Sequence, residues 1–277
     1  MTTKNTYDLE DLLTLMAHLR EPVYGCPWDK VQTYETIAAS TIEEAYEVVD
    51  AIEQGDALQL KEELGDLLFQ VVFYSQLGKE DKCFTFADIV SSITAKLIHR
   101  HPHVFPNGSL EGHAGVQTDT QARSQQDINT SWEQIKQKER KAKGYDSILD
   151  DVPSTFPAMT RASKLQKRAS SVGFDWQQVN EVLPKLDEEI DELKQEIAIG
   201  SAAIEEELGD VFFTLINLSR HLKIDPETAL RKANTKFEQR FRYMESQLLD
   251  DPSQLSQQTV DQLESLWRSA KSALANK

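Results

Sequence analysis

The phrase KEELGDLLFQV at 61–71 returns at 205–215 as EEELGDVFFTL. Nothing else in the chain restricts its fold as tightly. Glu63 and Asp66 stand opposite Glu207 and Asp210, and upstream Glu44 and Glu47 stand opposite Glu189 and Glu192, with a one-residue slip in the connecting turn. Downstream, Lys96 and Arg100 meet Lys236 and Arg240, and CPWD at 26–29 has a rough counterpart in GFDW at 173–176. Self-similarity of this extent marks a tandem duplication.

Each copy carries helical rather than strand signals. Leu9, Leu12, Leu13, Met16 and Leu19 recur at helical spacing. Pro184 suits the first turn of a helix and Gly200 its close. The expectation is an all-α chain of two tandem helical bundles, each an antiparallel set of about four helices. The first domain is placed at 1–105 and the second at 132–277. Residues 106–131, polar, rich in Gly, Gln, Asn and Ser and without periodicity, are expected to form a flexible linker.

Composition narrows the function. A net charge of −16 argues against stable nucleic-acid binding, which leaves a basic footprint. No apolar run reaches the ~20 residues of a membrane span. The N-terminal stretch lacks a basic-then-apolar export pattern, and two cysteines make no disulfide framework. A cytoplasmic location is expected.

Residues three or four apart share a helix face, so Glu189 and Glu192 project together, as do Glu207 and Asp210. If their two helices touch, four carboxylates converge, with Gly209, like Gly65 in the first copy, permitting close backbone approach. Oxygen-only ligands select hard cations, Mg²⁺ or Mn²⁺. Two ordinary readings stand beside this one. Glutamate runs are commonly solvated helix faces, and in the first copy Thr41-x-x-Glu44 fits a capping box. Leu186 replaces the threonine in the second copy, so capping does not account for the acids there. Recurrence beside apolar runs favours metal. No histidine follows a glutamate by three, which excludes the Glu-x-x-His pattern of di-iron bundles. The cluster of His99, His101, His103 and His113 has no cysteine or HExxH partner for zinc. Lys236 and Arg240, four apart, can grip one anionic group. Arg161, Lys164 and Arg168 form a further basic face, expected to reach phosphates across a dimer.

These phrases together resemble the MazG-type nucleoside triphosphate pyrophosphohydrolases along nearly the whole chain. The resemblance is carried by GCPWDKVQT from Gly25, TIEEAYEVVDAI from Thr41, KEELGDLLFQVVFY from Lys61, HRHPHVF from His99, VGFDW from Val172, EEIDE at 188–192 and EEELGD at 205–210. The family pattern EExxE…ExxD falls on Glu43, Glu44, Glu47, Glu63 and Asp66, and again on Glu188, Glu189, Glu192, Glu207 and Asp210. The resemblance implies the all-α NTP pyrophosphatase fold, a homodimer, and Mg²⁺-dependent hydrolysis (Mn²⁺ a substitute) of nucleoside triphosphates to monophosphate and pyrophosphate, with the C-terminal copy as main catalytic unit. It assigns metal binding to Glu189, Glu192, Glu207 and Asp210, with Glu44, Glu47, Glu63 and Asp66 as the first copy's set. Nucleotide contacts go to Lys236, Arg240 and Trp267. Glu188 or Glu206 is then the candidate for orienting or deprotonating the attacking water. Broad base specificity and nucleotide-pool cleaning or stress response are expected. The rival is a non-catalytic nucleotide-sensing regulatory protein.

Overall fold

The computed structural model describes residues 6–111, 125–248 and 252–275. It comprises two compact units, Met1–Arg123 and Ser124–Lys277. Among the described residues every regular element is helical.

In the first unit the helices are α1 (Leu9–Leu19), the short α2 (Pro27–Lys30), α3 (Ala38–Gln54), α4 (Ala57–Glu80) and α5 (Phe86–Arg100). Local chemistry sets most of the ends. Asp8 and Asp11 exchange capping bonds at the start of α1. Asp56 accepts from the Leu58 and Gln59 amides to open α4. Between α3 and α4 the chain reverses at Gly55, whose φ of 73° belongs to the left-handed region. The two helices therefore form an antiparallel hairpin.

Its apolar side meets α1 around Met16, Ile37, Val72, Phe73 and Leu77. Burying each such side chain contributes about 1.5–3 kcal/mol. Arg20 locks the end of α1 to the end of α4. Its guanidinium pairs with Glu80 at 2.7 Å, donates to the Gln32 carbonyl at 3.1 Å, and lies 5.3 Å from the Phe73 ring centre. Gly78 is needed where it stands, because a Cβ there would sit 2.5 Å from the Phe84 ring.

The second unit contains α6 (Gln125–Ala142), α7 (Ala158–Ser170), α8 (Val179–Ile199), α9 (Ile204–His221), α10 (Pro226–Ser246) and α11 (Val260–Leu274). That is six described α-helices, with a 3-10 turn at Pro252–Gln257, rather than about four. The helices α8 and α9 repeat the hairpin, reversing at Gly200 with φ 65°. Helix α7 packs on α9 and α10, and α11 packs on α10. Fully apolar burial is thin, with Val182, Ile216, Met244 and Ala270 at its centre. Polar Gln166, Glu189, Thr214 and Asn217 are buried alongside them.

Several expectations are corrected. Helix α6 begins at Gln125, inside the stretch expected as linker, while residues 112–124 of that stretch lie outside the described residues. Helix α8 starts at Val179, so Pro184 is inside it rather than in its first turn. The true opening signal is the Glu181 carboxylate, which accepts from the Gln177 N–H at 2.8 Å and the Gln178 N–H at 3.4 Å. Thr41 does not cap. Helix α3 already begins at Ala38, and the Thr41 hydroxyl instead donates to the Ile37 carbonyl at 3.1 Å and bonds the Tyr74 hydroxyl at 2.9 Å. Gly65 and Gly209 serve no close approach, since a Cβ at either would meet open space.

Candidate metal centre

Both hairpins bring acids together, and each does so within a single turn-and-return of the chain. In the second unit one carboxylate oxygen each from Glu189, Glu207 and Asp210 lies within 4.8 Å of the others. In the first unit the same is true of Glu44, Glu47 and Glu63. Helix α8 (or α3) supplies acids from its middle, and the start of the next helix supplies the rest. The positive N-terminal end of α9 lies at Glu205, Glu206 and Glu207 and offsets part of the repulsion.

The two trios differ from the expected quartets. Glu192 is half-buried and stands outside the trio, close enough to Glu189 for that carboxylate to help raise its pKa. Asp66 is exposed and stands outside its trio, whereas Glu47 stands inside. Desolvation and then Asp210 and Glu189 push the Glu207 carboxyl above its ordinary range. Desolvation, then Glu189, does the same to Glu192, and desolvation, then Glu63 and Glu44, to Glu47. Acids held in such a group bind protons or cations more readily than isolated ones. An all-oxygen donor set fits a hard divalent cation.

One participant had not been anticipated. Lys185 places its ammonium 2.9 Å from buried Glu189 and 3.1 Å from exposed Glu188. These hydrogen bonds push its pKa up, Glu189 first. Its i,i+4 spacing to Glu189 was visible in the sequence, but so were many such pairs of no consequence. The first copy has Ser40 at this place and Gln70 bonding Glu44 at 3.4 Å. The trios therefore share two matched acids, Glu44 with Glu189 and Glu63 with Glu207, and differ in the third acid and in the neighbouring cation.

The remaining candidates divide. Glu188 and Glu206 are exposed beside the trio's helices, and Glu206 contributes to raising Glu207. Lys236 is exposed on α10. One turn on, Arg240 lies 5.5 Å from the Trp267 ring centre, its Nε buried without a hydrogen-bond partner. Phe237 packs on the same indole at 5.4 Å. On α7, Lys164 sits over Phe156 at 5.4 Å, and Arg161 Nε and Arg168 Nη1 are buried donors without partners. Buried Arg140, which the sequence reading missed, lies beside Arg168. Burial first, and then the Arg168 charge, lowers its pKa.

Comparison with known proteins agrees with this architecture. The MazG nucleotide pyrophosphohydrolase domain matches twice, at 32–105 and 177–244, each match spanning one acid trio. The nucleoside triphosphate pyrophosphohydrolase of Escherichia coli K12 is 45% identical over 266 residues, covering 95% of this chain and 97% of the relative. The nucleoside triphosphate pyrophosphohydrolase/pyrophosphatase MazG of Thermotoga maritima is 40% identical over 262 residues, covering 95% of each. A Bacillus subtilis protein, YabN, is 37% identical over 267 residues, 96% of this chain and 52% of its own. With both hairpins matched and full-length relatives at this identity, the chain belongs to the MazG nucleotide pyrophosphohydrolase family.

Proposed function

We propose that the chain is an Mg²⁺-dependent nucleoside triphosphate pyrophosphohydrolase that releases a nucleoside monophosphate and pyrophosphate, acting chiefly through its second unit. The gathering of Glu189, Glu207 and Asp210 beside Lys185 carries this reading. A cation at the trio supplies charge to neutralise a triphosphate and acidity to a bound water. Mn²⁺ has the same preference for oxygen donors.

The chain's own residues do the rest. Glu192, close to Glu189, adds its negative charge to that of the trio and strengthens its attraction for a cation. Glu188 or Glu206, exposed at the rim, takes a proton from the attacking water. Lys185 exchanges its bond to Glu189 for a phosphate oxygen, while Lys236 and Arg240 offset further phosphate charge. Trp267 holds the Arg240 guanidinium in place by cation–π contact. Buried Arg140 and half-buried Arg161 and Arg168 are a reserve of positive charge for the phosphates of a dimer partner's substrate.

A homodimer is part of this reading. Phe212 is 51% exposed and its neighbours Leu208 and Leu215 are also exposed on α9. A single surface leaves such a row uncovered only at a cost. Nucleotide-pool housekeeping in the cytoplasm is the role proposed. No described helix is long and apolar enough to cross a membrane.

The test is product analysis of the full chain with Mg²⁺ and a nucleoside triphosphate panel. Monophosphate plus pyrophosphate is expected, with a fall of at least 100-fold in Asp210→Asn. Orthophosphate release, or tight binding without turnover, would replace this reading with a phosphatase or a nucleotide sensor.

A further inference from the structure

The second unit holds a cavity of about 510 Å³ that the acid trio does not use. Its floor is the continuation of α9 beyond Asp210. Glu207, Asp210, Thr214 and Asn217 follow one another at helical spacing on one stripe. Asp210 and Thr214 are separated by about 6 Å along the axis. Aromatic walls come from Phe174, Trp176 and Phe213.

The polar groups in this cavity are oriented, and one is unsatisfied. Gln166 on α7 is only 6% exposed. Its Nε2 donates to the Phe213 carbonyl at 2.8 Å. A carbonyl only accepts, so the amide cannot flip, and Oε1 is the end left over. That Oε1 is buried without a partner. A buried acceptor in this condition carries a desolvation cost that a donor on a ligand would remove.

Further along α9 the polarity reverses. Asn217 is equally buried, and its Oδ1 accepts from Arg220 at 2.8 Å, which leaves the amide NH₂ as its free end. Arg220 Nε is a buried donor without a partner. Arg220 is itself held by Asp175, which also meets His221 Nε2 at 3.0 Å. Despite burial, these two partners hold Asp175 below the ordinary carboxylate range. The cavity wall therefore presents an acceptor followed by donors, between aromatic faces.

We infer that this cavity seats the base of the nucleotide whose phosphates lie at the acid trio, and that it favours bases with an exocyclic amine beside a ring nitrogen, as in cytosine and adenine. The inference rests on the triphosphate reading of the trio and adds the base to it. The amine donates to Gln166 Oε1, and the ring nitrogen accepts from the donors beyond. Uracil and hypoxanthine place an oxygen where the amine belongs, against the Gln166 acceptor. Stacking on Trp176 and the phenylalanines is common to all bases and leaves the discrimination to Gln166.

The experiment uses isosteric nucleoside pairs, which need neither metal nor acids. Binding of cytidine against uridine, and of adenosine against inosine, is measured on the full chain by calorimetry. The amino member is expected to bind at least about tenfold tighter, the worth of one buried hydrogen bond. Gln166→Met, close in shape but lacking the acceptor, should erase the preference, whereas Trp267→Ala should retain it. Equal or undetectable binding of both members of each pair overturns the inference. So does a preference lost in Trp267→Ala and kept in Gln166→Met. The two readings fail separately. Absent hydrolysis with the amino preference intact defeats the triphosphate reading alone, and normal hydrolysis with no preference defeats this one alone.

Discussion

Divalent cation should stabilise each unit of this chain against heat, and the trios define how much and through which residues. Each trio is complete within one hairpin, so occupancy of a site adds to the stability of the unit that holds it. At a free concentration 100-fold above the dissociation constant, one site adds about 2.7 kcal/mol. For a unit of roughly 150 residues, each kcal/mol raises the midpoint by about 2–4 °C, giving a rise of about 5–10 °C. Differential scanning calorimetry with Mg²⁺, against K⁺ at equal ionic strength, measures it. Glu207→Gln should abolish the rise in the second unit and leave the first unit's intact, and Glu63→Gln should do the reverse. A rise below about 1 °C in the native chain, or an undiminished rise in the double variant, would refute metal binding at the trios.

Removing the lysine that neutralises buried Glu189 separates its two roles. Lys185→Met should tighten Mg²⁺ binding in the absence of nucleotide, seen by calorimetry, and raise KM for the triphosphate several-fold. The acids themselves predict a pH dependence. Folding raises the carboxyl pKa of Glu207, Glu192 and Glu47 above 4.5. The folded state therefore holds their protons more tightly, and the stability they contribute is whole below about pH 4.5 and is lost as pH rises through the raised values. Metal-free melting followed upward from pH 4.5 should show this loss, Glu207→Gln should reduce it, and Mg²⁺ near neutrality should reverse it. Away from the sites, Gly78→Ala should destabilise the first unit by about 1–3 kcal/mol in denaturant titration through overlap with Phe84, leaving kcat unchanged.

The sequence exposed the parts of this structure that are local. The hairpins, their closing glycines and most of the acids follow from spacings of three and four, because a helix converts such spacings directly into neighbours. Pro184 misplaces the start of α8 because proline tolerates several places near a helix beginning, while the quieter reach of the Glu181 carboxylate to the Gln177 and Gln178 amides decides it. The capping box that Thr41 and Glu44 fit by spacing, the alternative to metal binding, does not form, because Tyr74 on the facing helix gives the Thr41 hydroxyl another use. The cavity was out of reach. Gln166 finds the Phe213 carbonyl across 47 residues, and Arg220 finds Asp175 across 45. No periodicity announces pairs joined only by packing. Of the first copy's expected set, Glu47 enters the trio and Asp66 does not, since spacing names a face and leaves open which oxygens on it converge.

That each trio belongs to a single hairpin bears on how the chain reaches its native state. The contact between Glu189 and Glu207 closes a short loop, and short loops close early and at little entropic cost. Like charges meet there before the rest of the unit has packed, so electrostatic repulsion opposes an early folding event. A divalent ion relieves it at that moment. Magnesium should accordingly speed refolding of the second unit as well as slow its unfolding, and the ion is then a participant in the birth of the fold as much as in its upkeep.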